Sequence, residues 1–330
     1  MADHSNLLDV VRRPLSPDIQ LEVPASREEY ERVQEVLESE GSKYPRLWYD
    51  STRNIAIVIA APSAVHSDLA GELLNSIVKE VAMHQGIDAE IRRRLSLATE
   101  REITRGLTTR GWDGALLYRD GNRSTLMIAV EVGVSQAYES LRAAISWSVC
   151  ALHCRLGIAL SVHEGGRGET PDTLYYQSIQ EGNATFHEAE EDFRRQLMQR
   201  PYGPLNRDGV IWYGRVRQVI LETYRTQDED TRPPETLLHP SQSFKIVQDG
   251  ELVGDEVPPN LREVVLEDCI PSHILSREKI IATPVNFFRR EWFEATFQDA
   301  MDLANRRDKR LHHFALSSFY LYLYNVPTTE

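Results

Sequence analysis

Residues 112–164 read WDGALLYRDGNRSTLMIAVEVGVSQAYESLRAAISWSVCALHCRLGIALSVHE, and this stretch decides the fold. Two apolar runs, at 115–118 and 126–130, flank a turn signal at Asp120-Gly121 or, one register on, at Gly121-Asn122. Such pairs accept the positive φ that a two-residue hairpin turn needs. The stretch therefore predicts an antiparallel hairpin, followed by an amphipathic helix and another apolar strand.

Two acidic residues mark the ends of the hairpin strands. Asp113 opens the first strand, and Glu131 ends the second, which is almost continuously apolar, as expected for a central strand covered on both faces by helices. A buried ionised carboxylate needs a compensating charge or a metal. Two carboxylates on adjacent strands therefore suggest a divalent metal site. The alternative is that Asp113 caps a turn and Glu131 pairs with an arginine.

Length, composition and charge limit the classes of protein to which the chain can belong. With 330 residues and 41% hydrophobic content the chain can bury a substantial core, and its net charge of -13 argues against a uniformly basic nucleic-acid coat. Three cysteines without a CxxC pair indicate neither a disulfide framework nor a zinc site. No signal peptide or membrane-length apolar run is present. We expect a soluble intracellular protein, cytoplasmic or nuclear, without membrane association.

Before the hairpin, the prolines of residues 1–25 predict an extended or loosely docked arm. A capping box at Ser26 and Glu29 begins a helix at about 27–40, and 47–49 with 55–59 reads as a second hairpin. A long amphipathic helix follows at about 64–85, with Glu72 at the border of its apolar stripe. His66 lies at the start of this helix, as either a site residue or an ordinary first-turn histidine.

Beyond the hairpin the chain continues with alternating signals. These predict a helix at 184–200, a strand at 210–224, an exposed linker at 226–240, strands near 243–248 and 262–267 around a turn at Asp249-Gly250, and a helix at 289–309. The aromatic segment 314–324 is expected to dock on the core or to form a homodimer contact.

One zone is basic in an otherwise acidic chain. Residues 92–123 contain eight arginines against four acidic residues, a net charge of +4. Arg92, Arg93 and Arg94 lead this zone. They form either a solvated face or a patch that makes salt-dependent contacts with nucleic-acid phosphates.

The order of these elements resembles the α-β-β-β-α-β core of the PD-(D/E)XK nuclease superfamily. Several short stretches of the sequence are similar to those of uncharacterised nuclease-like proteins of fungi and their Uma-type bacterial relatives. The matching stretches are YPRLWYD (44–50), APSAVHSDLAGELL (61–74), WDGALLY (112–118), VEVGVSQAYESL (130–141) and VPPNLREVVLEDCIPSHIL (257–275). The resemblance covers 44–164 well and 205–275 more loosely.

The resemblance implies Mg2+- or Mn2+-dependent hydrolysis of phosphodiester bonds. Asp113 and Glu131 would ligate the metal together with the backbone carbonyl of Val132, and Glu72 would assist as a helix-borne acid. Carboxylate oxygens suit Mg2+, which usually takes one or two protein carboxylates and keeps several waters.

Two positions depart from the superfamily pattern. Gly133 stands where the active-site lysine would be, and Trp112 replaces the proline before the aspartate. Arg142, on the helix after the strand, is a candidate substitute, and Lys79 is a weaker one; arginine could act only as an electrostatic clamp. Ser135 and Gln136 follow E-x-G as in the fungal group and could hydrogen-bond substrate or water.

The sequence thus predicts an α/β protein with a restriction-endonuclease-like αβββαβ core and a mixed central sheet, extended by extra strands and C-terminal helices. We expect an arm at 1–25, the α/β domain at 26–280 with its core at 44–164 and a strand extension at 205–275, and a helical segment at 281–330. The predicted function is a Mg2+-dependent nuclease acting on DNA. Its rivals are an inactive nuclease-fold protein that binds nucleic acid or a protein partner, and a small-molecule or regulatory scaffold.

Overall fold

The computed structural model describes most of the chain up to residue 299. The described residues are 6–13, 15, 19–41, 45–62, 64–99, 102–134, 138–165, 186–207, 210–213, 215–225, 233, 236–253, 264–281, 283–285, 287–288 and 292–299. Within them, helices, two larger β-sheets and a small antiparallel sheet of β10 (Leu205–Arg207) and β11 (Val210–Tyr213) give the mixed α/β class that the sequence predicts.

The larger sheet contains the hairpin of the opening stretch. Its strands are β4 (Leu95–Thr99), β7 (Gly114–Asp120), β8 (Arg123–Val134), β9 (Leu156–Gly165), β12 (Arg215–Tyr224), β13 (Gln242–Gln248) and β14 (Glu251–Leu252). Among the described residues they lie in the order β14-β13-β12-β9-β8-β7-β4. Their ladders are antiparallel except that β8 and β9 are parallel, so the sheet is mixed, as predicted.

The β7–β8 turn forms as the sequence predicts. Asp120 pairs with Arg123, which leaves Gly121 and Asn122 as a two-residue turn. Gly121 has φ +59°, a left-handed conformation that glycine adopts without a steric penalty.

A second sheet precedes and borders the first. Its strands are β1 (Gln20–Pro24), β2 (Arg46–Asp50), β3 (Ile55–Ile59), β5 (Glu102–Arg105) and β6 (Thr108–Gly111), and the described residues place them in the order β1-β3-β2-β6-β5. Only Trp112 and Asp113 separate β6 from β7. The chain therefore passes from one sheet into the other directly at Asp113.

Helices cover both faces of the larger sheet around β8. The helices are α1 (Leu7–Val11), α2 (Arg27–Glu40), α3 (Ala64–Met83), α4 (Ala89–Arg94), α5 (Tyr138–Leu152), α6 (Phe186–Gln199), α7 (Leu266–Cys269) and α8 (Ser272–Arg277), with a further helical stretch at 292–299. Leu69 and Leu73 of α3 share a core with Val130 on one face. On the other, Ile145 of α5 packs with Ala129. Alternate residues of β8 are thus buried under different helices, which explains its apolar sequence.

Several regions differ from the sequence-based expectation. The segment 1–25 is not only an extended arm, because α1 buries Leu7 and Val10 at helical spacing and β1 pairs with β3. Of the strand expected near 262–267, residues 262–263 lie outside the described residues, Val265 forms an isolated antiparallel bridge with Pro284, and 266–267 belong to α7. The turn at Asp249-Gly250 instead joins β13 to the short β14.

The expected linker at 226–240 is also partly internal. Leu238 is only 3% exposed, and its N–H donates to Ser146 Oγ on α5 at 3.0 Å. Two adjacent leucines, Leu237 and Leu238, among prolines and acidic residues gave too weak a local signal to predict this. The aromatic segment 314–324 and most of the C-terminal helical segment lie outside the described residues. In the part of the chain that is described, no helix is long and apolar enough to cross a membrane.

The close packing of α5 on β9 at Gly157 is testable. A methyl group added at Gly157 would lie 2.7 Å from Ile145 Cγ1 and 2.9 Å from Val149 Cγ2. Gly157→Ala should therefore lower the free energy of unfolding, measured in urea, by about 1–3 kcal/mol.

Gly71 provides the matched control. It lies within α3, where an added Cβ would meet nothing within 4 Å. Gly71→Ala should raise the free energy of unfolding by up to about 1 kcal/mol through helix propensity. Similar losses in both variants would contradict the described α5–β9 packing.

Candidate functional site

Asp113 and Glu131 meet where the β7–β8 ladder ends. The last pair of that ladder joins Gly114 to Val130, so Asp113 lies just beyond it, opposite Glu131. The Val132 N–H donates to Asp113 Oδ2 at 2.7 Å, and the Glu131 carboxyl hydrogen-bonds to Asp113. Asp113 and Glu131 are called the carboxylate pair from here on.

Glu131 is the buried member of the carboxylate pair. It is 4% exposed, and among the described residues its Oε1 atom has no hydrogen-bond partner. Burial first, and then the negative charge of Asp113, raises the pKa of the Glu131 carboxyl well above its usual range. Burial and Asp113 therefore favour the protonated form of Glu131, in a place where a cation could take over the role of the proton.

His66 approaches the carboxylate pair from α3. Its Nε2 atom lies 2.8 Å from Asp113 Oδ1, and the two side chains are 15% and 20% exposed. The charge of His66 acts against burial by lowering the pKa of Glu131. The helix thus contributes a histidine to the site. His66 and Glu72 are two residues of this helix that the sequence analysis considered for a site role.

Arg110 supplies a second basic group, which the sequence analysis missed. It lies on β6, is 6% exposed, and pairs with the buried Asp50 at 3.0 Å. Asp50 is itself fixed by the Thr52 hydroxyl at 2.6 Å. The positive charge of Arg110 also lowers the pKa of Glu131. The position of Arg110, three residues before Asp113, was the signal that could have indicated a site role. The direction of its side chain, however, depends on how the second sheet folds.

Glu72 lies elsewhere on α3. It is half-buried and accepts a hydrogen bond from Asn75 Nδ2 at 3.4 Å. Glu72 is six positions after His66, so its side chain points about 120° away from that of His66 around the helix axis. A site role for Glu72 stays a prediction.

Arg142 and Lys79 are the candidate substitutes for the lysine that the resemblance implies at position 133, and neither has a described contact with the carboxylate pair. Arg142 donates to the Leu238 carbonyl at 2.7 Å and also contacts His239 and Glu139, so it secures the segment around Leu238. Lys79 is exposed and lies thirteen residues after His66, about 20 Å along the helix. Ser135 and Gln136 lie outside the described residues.

The arginines of α4 are also distant from the carboxylate pair. Arg94 pairs with Asp120 at 2.7 Å, at the far end of β7, and Arg93 pairs with Glu90. The length of β7 separates Asp120 from Asp113 by about 20 Å. Arg92, Arg93 and Arg94 therefore border the opposite end of the hairpin, and their proposed contact with nucleic acid stays a prediction.

The ligand set of the site is small. Among the described residues no group of three or more His, Cys, Asp or Glu side chains is arranged to hold a metal ion. The carboxylate pair nevertheless offers hard oxygen donors, including the orphaned Glu131 Oε1. The N–H and C=O of one strand residue point to the same side, so the Val132 carbonyl faces Asp113 as its N–H does. Two carboxylates and a carbonyl fit Mg2+ or Mn2+, which retain waters for the remaining positions.

The raised pKa of Glu131 predicts a pH-dependent stability in the absence of divalent cations. The protonated carboxyl contributes stability that is complete below the pKa of an unfolded glutamate, about 4.3, and is lost as the pH rises through the folded-state value. Glu131→Gln cannot ionise. The free energy of unfolding of this variant relative to wild type should therefore increase from about pH 5 to about pH 8, measured by urea unfolding with EDTA. A constant difference would contradict the buried, proton-sharing geometry.

No family model matches the chain, and comparisons with curated proteins and with solved structures give no match. The contacts, burial and charges of the carboxylate pair therefore carry the functional assignment.

Proposed function

We propose that the chain is a Mg2+- or Mn2+-dependent nuclease that hydrolyses phosphodiester bonds of DNA. The observation that carries this proposal is the contact between Asp113 and Glu131 beside His66 and Arg110. When ionised, a buried carboxyl held against a second carboxylate destabilises the fold, because removing water from its charge is unfavourable. It is, however, suited to a site that exchanges a proton for a divalent cation.

The topology around the carboxylate pair supports a restriction-endonuclease-like core. In chain order the elements are α3, β4, β7, β8, α5 and β9, with the short helix α4 inserted before β4 and with β5 and β6 of the second sheet inserted after it. In space the four strands lie in the order β4-β7-β8-β9, with two antiparallel ladders followed by a parallel one. This agrees with the αβββαβ order that the sequence resemblance implies.

The chain's own residues would hold and orient the ligands. Asp113, Glu131 and the Val132 carbonyl would hold the cation, while the Val132 N–H and His66 fix the Asp113 carboxylate. A bound Mg2+ or Mn2+ would lower the pKa of a coordinated water and neutralise charge developing on the phosphate. Arg110 would offset negative charge at Glu131 in place of the lysine absent at Gly133.

A second function is favoured by the state of Arg110. Its guanidinium is buried in an ion pair with Asp50, and arginine cannot be deprotonated to activate a water molecule. The same scaffold would then be a catalytically inactive nuclease-fold protein that binds nucleic acid or a protein partner.

Cleavage assays separate the two functions. Wild-type protein with Mg2+ or Mn2+ should cut plasmid and single-stranded DNA, and Asp113→Asn or Glu131→Gln should reduce the rate by at least about a hundredfold, since each removes a cation ligand. The measurement is the loss of intact substrate over time.

Asp120→Asn is the matched control, because Asp120 is an exposed acid at the far end of β7. It should cut at the wild-type rate. Cutting retained in Asp113→Asn and Glu131→Gln would reject the assigned site. A wild type that gains thermal stability with Mn2+ but does not cut would favour the inactive scaffold.

A further inference from the structure

One edge of the larger sheet gathers several strand ends beside the carboxylate pair. β8 and β9 are parallel, so Glu131 and His163 lie toward the same edge. β12 is antiparallel to β9, and β13 is antiparallel to β12. The beginning of β12, from Arg215, and the end of β13, from Lys245, therefore reach that edge too.

The strand register also places these residues on one face. Glu131 is opposite Ala159, Ala159 is opposite Glu222, and Ala159 packs in the core under α5. The next row along the strands runs from Gly133 through Ser161 and Ile220 to Lys245. Lys245 therefore lies on the same face as Glu131, one row further toward the edge and three strands away, a lateral distance of about 14 Å.

Basic side chains cluster at this edge. Arg215, Arg217 and Lys245 are exposed. Arg217 occupies a bulge between the pairs Val216–Glu164 and Gln218–His163, and its side chain lies over Gly165, where a Cβ would collide with the guanidinium. Arg215 donates to the Asp249 carbonyl. These three residues are called the basic strip.

Polar groups lie between the basic strip and the carboxylate pair, among them the buried acid Glu222, whose carboxylate accepts hydrogen bonds from the Tyr138 and Tyr224 hydroxyls. Gly133 leaves its position without a side chain, and the neighbouring Ser161 hydroxyl hydrogen-bonds to His163 Nε2 at 2.9 Å. His163 is half-exposed.

The exposed acidic residues at the outer margin of the strip are Asp249 and Glu251. Glu164 is a third acid at this edge, but it pairs with Val216, which packs in the core on the opposite face of the sheet. On the face of Glu131, three exposed positive charges therefore lie beside two exposed negative ones in a chain whose net charge is -13.

We infer that the basic strip contacts the phosphate backbone of DNA whose scissile phosphate lies at the carboxylate pair. This inference rests on the proposed nuclease function. A polyanion brought to two carboxylates needs positive charge nearby, and exposed lysine and arginine side chains provide it by displacing counterions from phosphates. The distance of about 14 Å between β8 and β13 corresponds to the axial rise of about four base pairs of a DNA duplex, at about 3.4 Å each. The arginines of α4, by contrast, border the far end of β7.

Binding of labelled DNA in EDTA, over a range of salt concentrations, tests the strip without requiring catalysis. Arg217→Gln/Lys245→Gln should weaken binding at least about tenfold at low salt and reduce the slope of log affinity against log salt by about two. The matched control is Arg92→Gln/Arg93→Gln, which removes the same charge from exposed arginines of α4 and should bind like wild type. Lys245→Arg, which keeps the charge, should also bind like wild type.

Three outcomes would overturn the inference. The first is equal weakening in both double variants, which would reflect net charge alone. The second is wild-type affinity in the strip variant, and the third is no binding by wild type at low salt. Parallel cleavage assays separate this inference from the nuclease proposal. If wild type binds through the strip but does not cut, the nuclease proposal fails, and what stands is the contact between the basic strip and the DNA backbone. If wild type cuts and the strip variant binds and cuts equally well, the inference about the basic strip is wrong and the nuclease proposal stands.

Discussion

The contact between the Glu131 carboxyl and Asp113 is the constraint on which the rest of the site depends. Glu131 lies on β8, and α3 and α5 cover the two faces of the sheet there, so water is largely excluded from its side chain. A carboxyl in such a place must share a proton or meet a positive charge. The hydrogen bond to Asp113 satisfies this requirement without metal, and a divalent cation would satisfy it with the carboxylate ionised.

The second sheet is part of this site because of the chain path. β6 ends one residue before Trp112, and Arg110 on β6 places its charge near Glu131 while Asp50 on β2 holds the guanidinium. His66 on α3 fixes Asp113 from another direction. The carboxylate pair is therefore surrounded by groups from the hairpin, a helix and a neighbouring sheet, and the basic groups His66 and Arg110 oppose its negative charge.

Local signals predicted much of this fold. Residues close in sequence determine the Gly121-Asn122 turn, the Ser26-capped helix and the helical period of α3. The positions of Asp113 and Glu131 could be predicted because they lie at the ends of the predicted strands. Arg110 could not be predicted, because its approach to Glu131 depends on the packing of a second sheet. The preference for Glu72 as the helix acid rested on family pattern, whereas the rotation of α3 brings His66 to Asp113. Leu238 was likewise placed in a linker, because its burial is decided by α5.

Calorimetric titration of Mn2+ near neutral pH, in buffers of different ionisation enthalpy, tests most directly whether the carboxylate pair is a cation site. If it is, wild-type protein should bind Mn2+ and release a proton, because the cation displaces the proton shared by Glu131 and Asp113. Glu131→Gln should bind weakly or not at all and release no proton. No binding by the wild type, or equal affinity in the variant, would contradict the assignment.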